Sequence, residues 1–441
     1  MGGGTIQLVA TGGQDIFLIG NPAFSFFKSV YRKHTNFSIE CIQVGESGSI
    51  GTGENKIDYE IPRIGDLLSK MHFEIDLPTQ TNFIVSGSNA WANYSNTTAF
   101  SYLKEVEVFI GEELIDKRDG RWYDIMNELT GHGSSNVTGS NLDYLINKSS
   151  VWPDDNKTSP QRTQLYIPLN FWFCKDYSLA LPLIALQYHK VNIVSTFRSI
   201  SNIINTTGNV SGESTITSSS PLLVPEIKLW ANYIFLDTDE RKRFAKGSHE
   251  YLIEQIQLIS DKYQKTVHIP FNHPVKCLYW VIQNEAATSA KSDFLNTDST
   301  KNNTNNITWV HGNDYLNYSL HERVNQSYLH TASGKYEHFD TMYLSINGIE
   351  RFQKRKHIYF RTIQPYEHSY YFPEKNIYMY SFSLKPDKYQ PSGTCNFSRI
   401  DNASLHFDGE QSYDGYSIYV YAKNYNILRI MNGFGGLLYS S

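Results

Sequence analysis

From Met71 to Leu77 the chain alternates apolar and polar residues without a break. Phe73, Ile75 and Leu77 fall on one side of an extended chain, and His72, Glu74 and Asp76 on the other. Glu105 to Ile110 does the same and then meets Gly111. Ile227, Leu229, Ala231, Tyr233 and Phe235 carry the alternation through another stretch, and Ser417 to Tyr421 is rich in β-branched and aromatic residues. A period of two belongs to strands with one face in a core, and a helix, with its 3.6-residue period, cannot use it. The sequence therefore predicts an all-β protein. Helical patterns are few. Asp237 or Thr238 can cap a short helix running to Phe244, with acids in the first turn and bases after them, as the helix dipole favours. A second short helix is expected near Arg121 to Met126.

The strand pattern also repeats. Asp66 to Ile75 lines up with Asn272 to Val281. Ile110 to Ile115 resembles Asn347 to Phe352, where a strand breaks at Gly and a charged turn follows. An extended run ending Gln187 to Ile193 matches one ending Arg399 to Leu405. The three matches keep one order along the chain, which points to two copies of one β domain joined by the helix near Asp237. Two all-β domains of this size, with many strands and long loops, read as two sandwiches of the jelly-roll kind. At 441 residues, such a chain buries enough surface to fold without disulfides or metals.

Composition bears on what the surface is for. Charged residues make up 19% and aromatics 14%, with Tyr 31, and interface cores are poor in Lys and Glu and rich in Tyr, Trp and Phe. Low charge with many aromatics excludes a disordered chain. The net charge of −5 argues against a non-specific nucleic-acid coat, which needs many phosphate-facing cations. Cys41, Cys174, Cys277 and Cys395 form no paired motif and read as free thiols. The start, Met1-Gly2-Gly3-Gly4-Thr5, lacks the basic and apolar regions of a signal peptide. Ile6 stands where a myristoylation motif wants Ser or Thr. The apolar run Leu179 to Leu186 is far too short to span a bilayer.

Polar stretches at Thr81–Thr98, Thr130–Thr163, Ser199–Pro221 and Ala286–Asn306 read as exposed loops. They carry many Asn-X-Ser/Thr triplets, which reflect mainly Asn-, Ser- and Thr-rich loops. Asn93, Asn136, Asn156, Asn302 and Asn306 are kept as weak candidates for glycan attachment.

No catalytic, cofactor-binding or metal-binding constellation emerges. Gly45-Glu46-Ser47-Gly48-Ser49 lacks the last glycine of a nucleophile elbow. His249-Glu250 has Ile253 where a second zinc histidine would sit, and no Walker loop is present. Gly433-Phe434-Gly435-Gly436 has no following strand and helix to hold a nucleotide and reads as a flexible or tight-turning tail. His268 and His273 could ligate a metal, as could Asp154 and Asp155, but ordinary strand and loop roles are the better reading. The basic runs Arg241 to Arg243 and Lys354 to His357 are too short for a nucleic-acid face. They read as solvated ends or as contacts for acidic partners in an assembly. The chain is expected not to be an enzyme.

Against this background, several segments resemble one family. Phe26 to Phe37 is similar to the N-terminal signature of the major capsid proteins of nucleocytoplasmic large DNA viruses. So are Leu181 to His189, Asp237 to Arg241 with Phe244-Ala245, His249 to Gln255, Gln390 to Asn402 and Ala422 to Met431. The resemblance runs nearly end to end in preserved order and is strongest toward phycodnavirus-like members; the polar loops depart from it. It implies a double jelly roll: two tandem eight-stranded β-sandwiches with long loops and short connecting helices. The expected division is an arm at 1–25, a first domain at 26–236, a helical linker at 237–248 and a second domain with a C-terminal tail at 249–441.

The resemblance further implies a homotrimer forming a pseudo-hexameric capsomer, and capsomers tiling an icosahedral shell over an internal membrane. Partners would be neighbouring capsomers and minor capsid and penton proteins, with no cofactor, no membrane insertion and no direct hold on the genome. Gly2, Gly3, Gly4, Thr5 and Gln7 would belong to an arm contacting minor proteins or neighbours. A glycan-binding pair of β-sandwiches, suggested by Trp91 and Trp152 in polar loops, is the alternative, and a glycan hydrolase on the same fold is a further one.

Overall fold

The computed structural model describes residues 2–78, 92–95, 97–130, 141–147, 163–206, 224–285, 315–316, 318, 337–373, 375–409 and 415–439. It comprises two compact units, Met1–Phe37 and Ser38–Ser441. The first unit holds two short helices, α1 (Gly3–Val9) and α2 (Ile16–Ile19), neither of which buries a residue.

The second unit contains a doubled β fold. The main strands of its first half are β1 (Phe37–Val44), β2 (Asn55–Glu60), β3 (Leu67–Asp76), β4 (Leu103–Ile110), β5 (Glu113–Asp119), β6 (Gln164–Pro168), β7 (Val191–Phe197) and β8 (Glu226–Leu236). They form two antiparallel sheets, ordered β1-β8-β3-β6 and β2-β7-β4-β5. The second half supplies β9 (His249–Lys262), β10 (Thr266–His268), β11 (Pro274–Asn284), β12 (Thr341–Ile346), β13 (Ile349–Glu350), β14 (Ile377–Ser381), β15 (Ala403–Asp408) and β16 (Tyr416–Met431). Their sheets run β9-β16-β11-β14 and β10-β15-β12-β13. Counted within each half, both follow the same order, 1-8-3-6 facing 2-7-4-5. That is the jelly-roll arrangement, made twice.

All three sequence matches land on equivalent strands of this repeat. Asp66–Ile75 and Asn272–Val281 contribute β3 and β11. Ile110–Ile115 and Asn347–Phe352 contain the β4–β5 and β12–β13 hairpins, and the third pair leads into β7 and β15. The hairpin glycines explain the second match. Gly111 and Gly348 both turn with positive φ, +65° and +80°, a conformation only glycine adopts without strain.

Two helices fall on the stretches the sequence marked, Arg121 to Met126 and Asp237 to Phe244; the other short helices carry no such signal. α3 (Gly120–Leu129) starts at Asp119, whose carboxylate accepts from the Trp122 N–H at 2.9 Å. A short α4 (Trp172–Lys175) precedes β7. α5 (Thr238–Lys246) lies between β8 and β9, and the Asp237 carboxylate accepts from the Thr238 N–H at 2.8 Å. In the second half a π-helical turn, Tyr359–Ile363, runs into α6 (Gln364–Glu367). Among the described residues no helix is long and apolar enough to cross a membrane.

One core cluster holds Phe73, Ile75, Val106, Val108, Leu165, Ile193 and Leu229 of the first roll. A second holds Val267, Leu278, Trp280, Leu344, Leu405 and Val420 of the second roll. The first cluster also takes in Cys277, Tyr279, Val281, Met379 and Tyr421. These residues alternate along β11, β14 and β16 with those of the second cluster. The sheet β9-β16-β11-β14 is therefore buried on both faces, one inside its own roll and one against the first roll.

Candidate assembly surfaces

The joint between the rolls is built by α3, α4 and β5 lying on that doubly buried sheet. The Trp122 ring on α3 sits 5.4 Å from Tyr279 and 5.5 Å from Tyr421, centroid to centroid, and the Arg121 guanidinium lies 3.9 Å above the Tyr419 ring. Large buried aromatics of this kind dominate interface energetics. Both Asp119 carboxylate oxygens accept from the Tyr421 hydroxyl, at 2.9 and 2.8 Å. At β5 the Asp116 carboxylate accepts from the Ile256 N–H at 3.1 Å, and the Gln255 side chain donates to the Ile115 carbonyl.

Charge is also buried at the joint. Glu254 on β9 meets three ammonium groups: Lys175 of α4 at 2.6 Å, Lys423 at 3.4 Å, and Lys276. Burial opposes the Glu254 carboxylate, but these cations outweigh it and hold its pKa well below the usual carboxylate range. One carboxylate cannot neutralise three lysines. Burial, followed by the charge of Lys175, pushes Lys423 down to about 7. Carbonyls of the covering loop take the remaining protons: Lys276 donates to Lys388 O at 2.7 Å and Lys423 to Pro386 O at 3.0 Å.

The glycine-rich C-terminus is no flexible tail. Asn432 and Gly433 turn tightly, as the sequence suggested, but β17 (Phe434–Leu437) then pairs with β16 and reaches the first roll. Phe434 stacks on Tyr188 with centroids 5.0 Å apart. The His189 ring bonds Gly435 O at 2.8 Å, and Leu437 N–H donates to Glu113 at 3.1 Å. A Cβ at Gly435 would stand 2.6 Å from Leu186 Cδ2, and one at Gly433 would stand 2.6 Å from Tyr188 Cδ2. The glycines permit this close approach, and the hairpin clasps the rolls together.

Two kinds of surface remain open. The arm presents Ile16, Phe17, Leu18, Phe24, Phe26 and Phe27 to solvent. In the other unit, the outward face of β1-β8-β3-β6 displays Ile39, Cys41, His72, Glu74, Asp76, Tyr166, Glu226 and Trp230. Glu74 organises part of it, accepting from Trp230 Nε1 at 2.6 Å and from the Tyr166 hydroxyl at 3.1 Å.

Of the residues singled out in the sequence, Gly3, Gly4, Thr5 and Gln7 lie on α1 and Gly2 caps it. Asn93 sits in a short strand, Ala92–Tyr94, paired with Ile204–Thr206. Asn136, Asn156, Asn302 and Asn306 lie outside the described residues, as do Trp91, Trp152, Asp154 and Asp155. His268 is bonded to Ser404 at 2.8 Å. No group of three metal-ligating side chains occurs among the described residues. The lysine–glutamate joint and the clasp escaped sequence reading, because both join residues far apart in the chain. The Gly-x-Gly-Gly spacing was their only local signal.

Comparison with known proteins agrees with this geometry. A family model described as "Large eukaryotic DNA virus major capsid protein" matches residues 240–436, and one for "Major capsid protein N-terminus" matches residues 25–237. The chain is 37% identical to the major capsid protein of Pyramimonas orientalis virus and 35% identical to that of Paramecium bursaria Chlorella virus 1, each over the full length of both chains. Among solved structures, a chain of the quasi-atomic PBCV-1 capsid superposes with a TM-score of 0.73 at 33% identity, covering 95% of this chain and all of that one. The Faustovirus major capsid protein shares the fold at TM-score 0.68 and 14% identity, covering 96% of this chain and 94% of that one.

Proposed function

The chain belongs to the major capsid proteins of large eukaryotic DNA viruses, and on that premise we propose that it homotrimerises into pseudo-hexameric capsomers. It is a structural protein of the virion capsid with a double jelly-roll fold, and it builds the shell with copies of itself. The observation that carries the proposal is the repeat. Two rolls of one topology in each chain place six similar modules around a threefold axis, so one protein can fill near-sixfold lattice positions. Closed symmetry then hides the contacts, which fits a chain with only 19% charged residues.

Capsomers would tile an icosahedral shell over an internal membrane without entering it. Minor capsid and penton proteins would complete the shell, and the genome would be held by other means. The divisions at 1–25, 26–236, 237–248 and 249–441 are the functional parts we assign. The arm with Gly2, Gly3, Gly4, Thr5 and Gln7 is assigned to contacts beneath or between capsomers. Asn93, Asn136, Asn156, Asn302 and Asn306 are kept only as weak candidates for glycan attachment. The role is structural, without catalysis or cofactor. Electron microscopy of the purified chain tests this reading: particles with threefold symmetry and a hexagonal outline are expected, and isolated single-chain particles would overturn it.

A further inference from the structure

Just before β12, three consecutive residues, Glu337, His338 and Phe339, are all buried. They plug one end of the second roll, where Tyr263 follows β9 and Tyr416 opens β16. Two of the three are well matched to their seats. The Phe339 ring lies 4.9 Å from Tyr378 and 5.1 Å from Phe407, centroid to centroid. The Glu337 carboxylate accepts from the Tyr378 hydroxyl of β14 and from Arg361 of the π-helical turn, each at 2.5 Å, and His357 lies 3.6 Å away. His338 is not matched. Its ring stands edge-on to Tyr263 and Tyr416, with centroids 6.5 and 5.8 Å away. Neither of its ring nitrogens has a hydrogen-bond partner among the described residues. Its backbone carbonyl is held, by the Tyr263 hydroxyl at 3.0 Å. A buried imidazole without an acceptor is tolerated while neutral and costly once charged.

We propose that residues 337–339 are an acid-released plug: protonation of His338 unseats them and opens this end of the second roll. The groups around the ring give a proton no place to be held. On its own segment His338 meets Glu337, a carboxylate already engaged by Tyr378 and Arg361. From the π-helical turn the Arg361 guanidinium opposes a second cation, and β9 and β16 present the rings of Tyr263 and Tyr416. His357, beside Glu337, has Asp340 and Lys356 as its further charges, and burial lowers its pKa too. Burial outweighs the attraction of Glu337 and pushes His338 down to about 4. Once unseated, the imidazole regains an ordinary value near 6.5. Between those two values the unseated plug binds a proton that the seated plug does not. Its population therefore rises as pH falls, by up to about tenfold per unit and about 300-fold across the window. The first roll lacks this device. Just before β4 its buried residues are Phe100, Ser101 and Tyr102, none of which gains a proton in acid. At this position acid acts on one roll and spares the other.

Hydrogen exchange of the full chain, corrected for the intrinsic effect of pH on exchange, reads the unseating locally. The reporter is the Asp340 N–H, which donates to Asp408 O at 2.9 Å. Its protection should fall by up to about tenfold per unit from pH 6.5 to 4, while the β9–β16 pairing stays protected. His338→Phe fills the same aromatic setting and cannot titrate. It should flatten the profile and raise protection at neutral pH, because an apolar ring replaces a buried polar group that has no partner. A flat profile in the wild type would overturn the proposal. So would a His338→Phe chain that keeps the slope, which would belong to His357 instead. If that variant does not fold, the ring of His338 itself decides. With ¹³C-labelled histidine in the wild type, a titration midpoint near 4 supports the plug, and one at the ordinary value overturns it.

Discussion

Lys375 of the second roll donates to both carboxylate oxygens of Asp124 in the first roll, each at 2.7 Å, with both side chains buried. Removing one member of a buried ion pair leaves the other charged without a partner, which costs about 3–5 kcal/mol, whereas replacing both with apolar groups is often near neutral. Lys375→Met should therefore lower the urea midpoint strongly. The double variant Lys375→Met with Asp124→Leu should recover most of the loss. Equal midpoints for the single and double variants would show that the pair contributes nothing specific to the joint.

The clasp makes a contrast between glycines. Gly435→Ala puts a methyl group into Leu186 and Ile110, and Gly433→Ala adds a backbone penalty at φ +86°. Overpacking of this kind costs about 1–3 kcal/mol. Gly348→Ala meets open space and should cost only about 1 kcal/mol, from its positive φ. Hydrogen exchange should localise the damage of the first two at residues 186–189 and 434–437, and that of the third at the β12–β13 turn.

The lysine joint sets a pH dependence in two windows. Glu254 has a depressed carboxylate pKa, so its stabilisation is present above pH 4.5 and is lost as pH falls below that. Lys423 is also depressed, to about 7 from 10.5. The unfolded chain therefore binds more protons than the folded one between those values, and stability rises with pH across them, by at most about 1.4 kcal/mol per unit. Lys423→Met should flatten the rise above pH 7 and, by removing one of the cations that hold the Glu254 pKa down, shrink the acid limb as well. Urea titrations carried from well below pH 4.5 up to pH 9.5 read both, and an unchanged alkaline limb in the variant would refute the assignment to Lys423.

The arm, residues 2–21, forms no part of either roll's core. Its deletion should leave capsomers intact and weaken shell assembly. Light scattering during reassembly separates the two effects, and assembly at the wild-type rate would remove the arm from the assembly contacts.

The fold was legible because its signals are local. Alternation at Met71–Leu77, the glycine breaks at Gly111 and Gly348 and the cap at Asp237 each act within a few residues, and the repeat set them in order. The joint was not legible. Lys175, Glu254, Lys276 and Lys423 read singly as ordinary strand and helix charges, and only the packing of the rolls makes them one cluster. The error at Gly433–Gly436 has the same origin. A glycine-rich end looks mobile until Leu186 and Tyr188, far away in sequence, show why no side chain fits. Which outer sheet face lies open is likewise invisible to periodicity, since His72, Glu74 and Asp76 alternate like any solvated set.

The central claim is the self-assembled capsomer, and the native mass of the purified chain in dilute solution tests it most directly. One chain has a mass of 50.6 kDa. A stable species at three times that mass, persisting on dilution, is the expected result. A monomer at all concentrations, above all one that binds sugars, would contradict the account and favour a glycan-binding pair of sandwiches.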